Sequence, residues 1–163
     1  MEIYVIFGLP GAGKTFVGRL MQKHFGFYAY EGDQDMPDSL KQAIEKQEVV
    51  SDTLRDAFFD DLINQVKKLR SEHDKLVVTQ VFIKEKYRER FLQAFPHAKF
   101  VLVASSANVR EARLMKQKTW QLDLSYWRKM AEIFENPQIE HSVITNNNDG
   151  EEEVKEQLQL LLM

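Results

Sequence analysis

Two rhythms of apolar residues alternate along the 163-residue chain. Residues 3–7, 76–82, 99–104 and 142–145 form β-rich runs that are apolar at nearly every position, with a weaker run at 27–30. Between them, apolar residues recur at helical spacing over 14–25, 39–46, 52–70, 84–94, 107–117, 123–135 and 150–162. Strands that are apolar without alternation need cover on both faces, and intervening helices supply it. The pattern therefore predicts an α/β, three-layer sandwich built on a five-stranded parallel sheet. Boundary residues agree. Asp52 is placed to cap the long helix, Pro96 follows a helix ending near Phe95, and "NNNDG" at 146–150 reads as a turn into the last helix. No repeat, linker or low-complexity tract interrupts the series, and the length suits one domain over residues 1–163.

Composition changes this picture little. The hydrophobic share of 44% and charged share of 29% are those of a globular protein. A net charge of -3 argues against a dedicated nucleic-acid binder. The absence of cysteine excludes thiol chemistry, disulfides and Cys-ligated zinc, and the four histidines are scattered without metal-ligand spacing. The first strand starts at once, without a leader-like segment, and no run approaches a membrane span. The expectation is a cytoplasmic monomer or homodimer with no nucleic-acid or membrane partner.

The junction between the first strand and first helix carries the chemistry. Gly8-Leu9-Pro10-Gly11-Ala12-Gly13-Lys14-Thr15 fits the pattern Gly-x-x-x-x-Gly-Lys-[Ser/Thr], with Phe16 continuing the helix. Glycines let successive backbone N–H groups turn in around a phosphate, the lysine reaches the β- and γ-phosphates, and the threonine hydroxyl ligates magnesium. Four constrained positions arise by accident in well under about 1% of chains of this length. Strand, loop and helix also come in the order the mechanism requires, so ATP and Mg2+ are the expected cofactors and Gly8, Pro10, Gly11, Ala12, Gly13, Lys14, Thr15 and Phe16 the expected cradle.

In an open parallel sheet, ligands sit beyond the carboxyl ends of the strands. That rule gathers Asp33, Gln80, Lys84 and Arg88 near the loop. Asp33 reads equally well as a turn residue and as a base or magnesium-side carboxylate. Lys84 and Arg88 stand at i and i+4 on one helix face, which suits either an anionic partner or local ion pairs with Glu85 and Glu89. Arg55 lies one turn into the long helix. The segment 111–130, with Arg113, Lys116 and Lys118 ahead of Trp120 and Trp127, reads as a flap carrying cations or as an amphipathic helical pair. The tryptophans fit packing better than base stacking.

Taken in order, the loop, Glu31-Gly32-Asp33, Lys84, Tyr87-Arg88 and Arg113-Leu114 resemble the gluconate kinase group, itself similar to shikimate kinase and sharing the nucleoside-monophosphate-kinase fold. "YEGDQDMP", "VVSDTLRDAFF", "VFIKEKYRERF" and "FENP" carry the likeness over nearly the whole chain. The resemblance implies a P-loop NTPase fold with a lid near 114–126 and a substrate-binding helical region near 33–60. It further implies catalytic roles for Lys14, Asp33 and Arg113. Asp33, Arg55, Gln80, Lys84 and Arg88 would hold the acceptor, Thr15 and Asp33 the metal, and Asn146 would lie near the adenine. Three positions depart from the group's pattern: Glu31 for an Asp, Met36 for a substrate-side His, and Gln117 for the lid arginine. Gln carries no charge, so Arg113, Lys116 or Lys118 would have to replace that arginine. The implied activity is ATP-dependent phosphorylation of a hydroxyl on a small, polar, anionic metabolite. Its alternatives are a nucleoside or nucleotide kinase, and a P-loop module that binds ATP without transfer.

Overall fold

The five apolar runs pair into a single parallel sheet of order β2-β3-β1-β4-β5 in a computed structural model covering residues 1–163. The strands are β1 (Glu2–Phe7), β2 (Tyr28–Glu31), β3 (Lys75–Thr79), β4 (Lys99–Ala104) and β5 (His141–Thr145). Helices α1 (Lys14–Phe25), α2 (Asp38–Glu45), α3 (Asp52–Arg70) and α4 (Glu85–Ala94) precede β4. Helices α5 (Ala107–Lys116), α6 (Leu124–Ile133) and α7 (Glu151–Leu162) complete the chain. None is long and apolar enough to cross a membrane.

Alternation along β1 divides the interior into two cores. Ile3, Val5 and Phe7 face α3 and α4, meeting Phe59, Leu62 and Phe91, while Tyr4 and Ile6 face α1 and α7, meeting Val17, Met21 and Leu158. Both faces of the central strand are therefore sealed, which is why its sequence is apolar without a break.

Two boundaries differ from the sequence expectation. Ser51, not Asp52, caps α3: its Oγ accepts from the Leu54 N–H at 3.2 Å, and Asp52 instead receives the Lys84 ammonium. β3 stops at Thr79, three residues short of the apolar run. Phe82 has a left-handed backbone (φ 48°) that no strand can contain, and its ring is fully buried among Phe59, Phe91 and Phe100. A non-glycine residue held there costs about 1 kcal/mol or more, which ring burial offsets. The turn carries Gln80 and Val81 out of the sheet towards the loop after β1.

α5 ends as Gln117 turns extended, and residues 117–123 run irregularly to α6. Across from them, Gln47 follows α2 in a left-handed conformation. Its carboxamide accepts from the Asp123 N–H at 2.7 Å and donates to the Asp123 carboxylate at 3.2 Å, tying the two segments together.

Candidate active site

Residues 8–13 leave β1 and enter α1 at Lys14. Gly13, the residue before the helix, has φ 94°, and a Cβ there would strike the Asn146 side-chain amide. Only glycine satisfies both demands, so the loop and the end of β5 are fitted against each other. The Lys14 ammonium folds back over the loop and donates to the Leu9 carbonyl at 2.9 Å. Burial pushes its pKa down from the usual 10.5 to about 8, and the Asp33 carboxylate acts in the opposite direction. Lys14 and Asp33 line one cavity although they lie far apart in the sequence. The positive end of α1 adds to the attraction for an anion.

Asp33 stands in a short 3-10 turn (Gly32–Asp35) that follows β2 directly. Gln80 donates from Nε2 to Asp33 Oδ1 at 2.8 Å, while its Oε1 accepts from the Val81 N–H at 2.8 Å. Both ends of the buried carboxamide are engaged, which fixes its orientation and leaves Asp33 Oδ2 open. The approach depends on Gly32, where a Cβ would lie 2.9 Å from the Leu62 side chain and 3.0 Å from Gln80 Nε2. Nearby, the Tyr30 hydroxyl donates to Asp35 at 2.8 Å, so the second aspartate of the turn is occupied elsewhere.

Arg113 reaches from α5 to the loop. Its Nη1 donates to the Gly11 carbonyl at 3.0 Å and its Nη2 to the Asn146 carbonyl at 2.9 Å, with Asp149 at 3.3 Å. One guanidinium therefore clamps the loop to the turn after β5. Asn146 itself is buried, its side chain bonded to Asp149.

A cavity of about 400 Å³ opens over these residues. Pro10, Gly11, Gly13, Lys14, Thr15, Asp33, Gln80 and Arg113 form part of its wall; α2, α3 and the 117–130 segment form the rest. Gly8, Ala12, Phe16 and Asn146 lie behind that wall, and Gly8 packs against the Val103 carbonyl. Arg55 enters the wall from the first turns of α3, half-buried and without an ion pair. Gln117 lines it with a buried, unpartnered amide nitrogen, and the indole N–H of Trp127 likewise lacks an acceptor. The side chains of Lys116 and Lys118 are exposed and take no part in the wall.

Lys84 and Arg88 do not reach the cavity, contrary to the expectation that they would hold the acceptor. Lys84 precedes α4 and pairs with Asp52 at 2.9 Å, holding that carboxyl below its usual range. Arg88 is fully buried between the Phe7 and Phe134 rings. It donates to the Phe82 carbonyl at 2.8 Å, the Glu135 carbonyl at 2.7 Å and the Glu85 carboxylate at 2.8 Å. The i, i+4 spacing was read as a shared face, but the face turns inward at Arg88 because that side chain braces the left-handed turn at Phe82. Ile44, Tyr126 and Met130 also line the cavity, although helical spacing alone reads them as core.

No cluster of three or more His, Cys, Asp or Glu side chains is present. Magnesium needs none, because it takes one or two protein oxygens and completes its shell with phosphates and water. The Thr15 and Asp33 oxygens on the cavity wall suit that donor set.

No protein-family model matches the chain. No curated protein sequence matches it either. Solved structures do. A sugar kinase from Janibacter sp. superposes with TM-score 0.83 at 18% identity, over 99% of this chain and 94% of the other. A gluconokinase from Sinorhizobium meliloti gives 0.81 at 21%, over 99% and 91%. The fold is that of the P-loop kinases. A shikimate kinase from Acinetobacter baumannii, solved with shikimate, shares the P-loop kinase fold at TM-score 0.64 and 19% identity, over 99% and 92%. Within the P-loop kinase fold, the positions that depart from the gluconate kinase pattern, Glu31, Met36 and Gln117, all border the cavity.

Proposed function

We propose that the protein is an ATP-dependent phosphotransferase acting on a hydroxyl of a small anionic metabolite, with magnesium held by Thr15 and Asp33. One observation carries this reading: the phosphate loop, a carboxylate with a free oxygen and an unpaired cation border a single cavity. The kinase names of proteins that share the fold support it. So does an APS kinase from Mycobacterium tuberculosis solved with AMPPNP and APS, at TM-score 0.69 and 19% identity over 99% of this chain and 98% of that one.

Each residue has a task that its geometry suits. The loop N–H groups and Lys14 bind the phosphates, and Arg113 holds the loop in shape while adding positive charge beside it. Magnesium, when bound, offsets negative charge on the phosphates. Asp33 orients the acceptor hydroxyl through its free Oδ2 and takes its proton, as the acceptor oxygen bonds to the γ-phosphorus and the bond to ADP breaks. Gln80 keeps that carboxylate aimed. Arg55 holds the acceptor's anionic group. The segment near 114–126 closes over the site as a lid against the region near 33–60, excluding water as a competing acceptor. The cytoplasm, where ATP is supplied, is the proposed setting.

A coupled ADP-release screen over hydroxy acids, sugars and nucleosides tests the reading, with Lys14→Ala as control. Acceptor-dependent ADP formation that vanishes in Lys14→Ala is expected. ATP binding without transfer to any acceptor would replace the kinase by a nucleotide-binding module.

A further inference from the structure

Outside the phosphate loop and its carboxylate, most of the cavity wall is apolar. Met36, Ile44, Val50, Trp120, Tyr126 and Met130 are only partly buried by the protein and turn their remaining surface to the cavity. They sit on layers already sealed by Leu40, Phe58 and Phe59. The polar side chains among them are Glu31, Arg55, Thr79, Gln80, Arg113 and Gln117, and Arg113 is held by the Gly11 and Asn146 carbonyls. The Gln80 carboxamide is spent on Asp33 and Val81, and Glu31 faces Arg19 at 3.6 Å. Arg55 is the exception, a cation whose charge acts on the Tyr126 hydroxyl and which has no carboxylate within 4 Å.

A sugar acid carries a hydroxyl on nearly every carbon. Buried against this wall, each unmatched hydroxyl would weaken binding about tenfold or more, whereas apolar surface placed there is favoured by its removal from water. A half-buried guanidinium without a partner calls for one oxyanion, and the unpartnered Gln117 and Trp127 N–H groups call for acceptor oxygens, which an anionic group also supplies.

We infer that the acceptor is a hydroxy acid with an apolar or aromatic body: one hydroxyl at Asp33, one anionic group at Arg55, and hydrocarbon between them against Met36, Ile44, Val50 and Tyr126. The transfer step rests on the phosphotransferase reading; occupation of the cavity does not. The apolar wall sets specificity by leaving the hydroxyls of a polyol unpaired, so the protein keeps the phosphate machinery of the sugar-acid kinases it resembles and turns their substrates away.

The test uses the full-length protein with ADP or ATP and magnesium. Its probes are 4-(hydroxymethyl)benzoate and 4-(2-hydroxyethyl)benzoate as apolar acids, benzyl alcohol as the uncharged counterpart, and gluconate and shikimate as polyols. Binding is read by saturation-transfer NMR and transfer by ADP release. The apolar acids should bind and be phosphorylated with kcat/KM at least about tenfold above either polyol, the size of effect one unpaired buried hydroxyl produces. Arg55→Gln should shrink the preference for 4-(hydroxymethyl)benzoate over benzyl alcohol about tenfold, with Arg55→Lys restoring part of it and far-UV circular dichroism unchanged in both. Apolar acids that bind without transfer uphold this inference and defeat the phosphotransferase reading. Preferred phosphorylation of gluconate or shikimate upholds the kinase and overturns the inference, as does failure of the apolar acids to bind.

Discussion

Lys14 is held in a tension that a bound phosphate relieves. Desolvation lowers its pKa to about 8, so the free protein holds fewer protons on this group than the unfolded chain between about pH 8 and its usual 10.5. Stability against unfolding therefore gains from this residue as pH rises through that window, the reverse of what a paired lysine does. An anion in the loop restores the charge, so ADP binding at pH 8.5 should take up a measurable fraction of a proton, and at pH 6.5 almost none. Titration calorimetry in buffers of different ionisation enthalpy measures this, and buffer-independent heats at both pH values would contradict the burial described. Asp33 and Gln80 form the second residue-scale pair. Asp33→Asn should lower turnover by a factor of 10² or more, in the range typical of a general base, while ATP affinity survives. Gln80→Leu should act more weakly and in the same direction, lowering kcat more than it raises KM for ATP, because it frees the carboxylate without removing it.

Among the elements, the turn between β3 and α4 depends on one buried cation. Arg88→Met leaves the Glu85 carboxylate and two carbonyls without their donor, a loss of about 3 kcal/mol by the measure of broken buried pairs. Urea denaturation should show a lower midpoint, and ATP affinity below the transition should be nearly unchanged. A large rise in KM for the acceptor in a folded variant with ATP affinity intact would return Arg88 to the site. This residue also marks how far the sequence could be read. The phosphate loop was legible because each of its positions has a separate mechanical reason, and the sheet because its strands are apolar on both faces. Arg88 was misread because helical spacing shows which residues share a face, not whether that face meets solvent. The end of β3 was misread for a related reason: Phe82 is apolar enough for a strand, and only its neighbours impose the left-handed turn. The apolar part of the cavity wall was hidden for a third reason, since cavity-lining residues on α2, α3 and α6 have the same periodicity as core.

For the molecule as a whole, the cavity joins elements far apart in the chain: the loop after β1, the turn after β2, α3, and the 117–130 segment. A ligand spanning them should stabilise the entire fold. ATP at about 100 times its Kd adds about 2.7 kcal/mol, which in a domain of this size raises Tm by about 5–10 °C. Differential scanning calorimetry with and without nucleotide checks this, and an unshifted Tm at saturating ATP would argue against binding at the loop.

The chain has two tryptophans, and both stand in the segment tied across the cavity by the Gln47–Asp123 hydrogen bonds. Those bonds are exposed and worth about 1 kcal/mol each, so the segment is held lightly. Trp120 is partly buried, and Trp127 is buried with its N–H unpartnered. The protein's tryptophans thus lie only in this segment of the cavity wall. Stopped-flow tryptophan emission, without a label or a change of sequence, therefore follows in time whatever this segment does when a ligand enters the cavity.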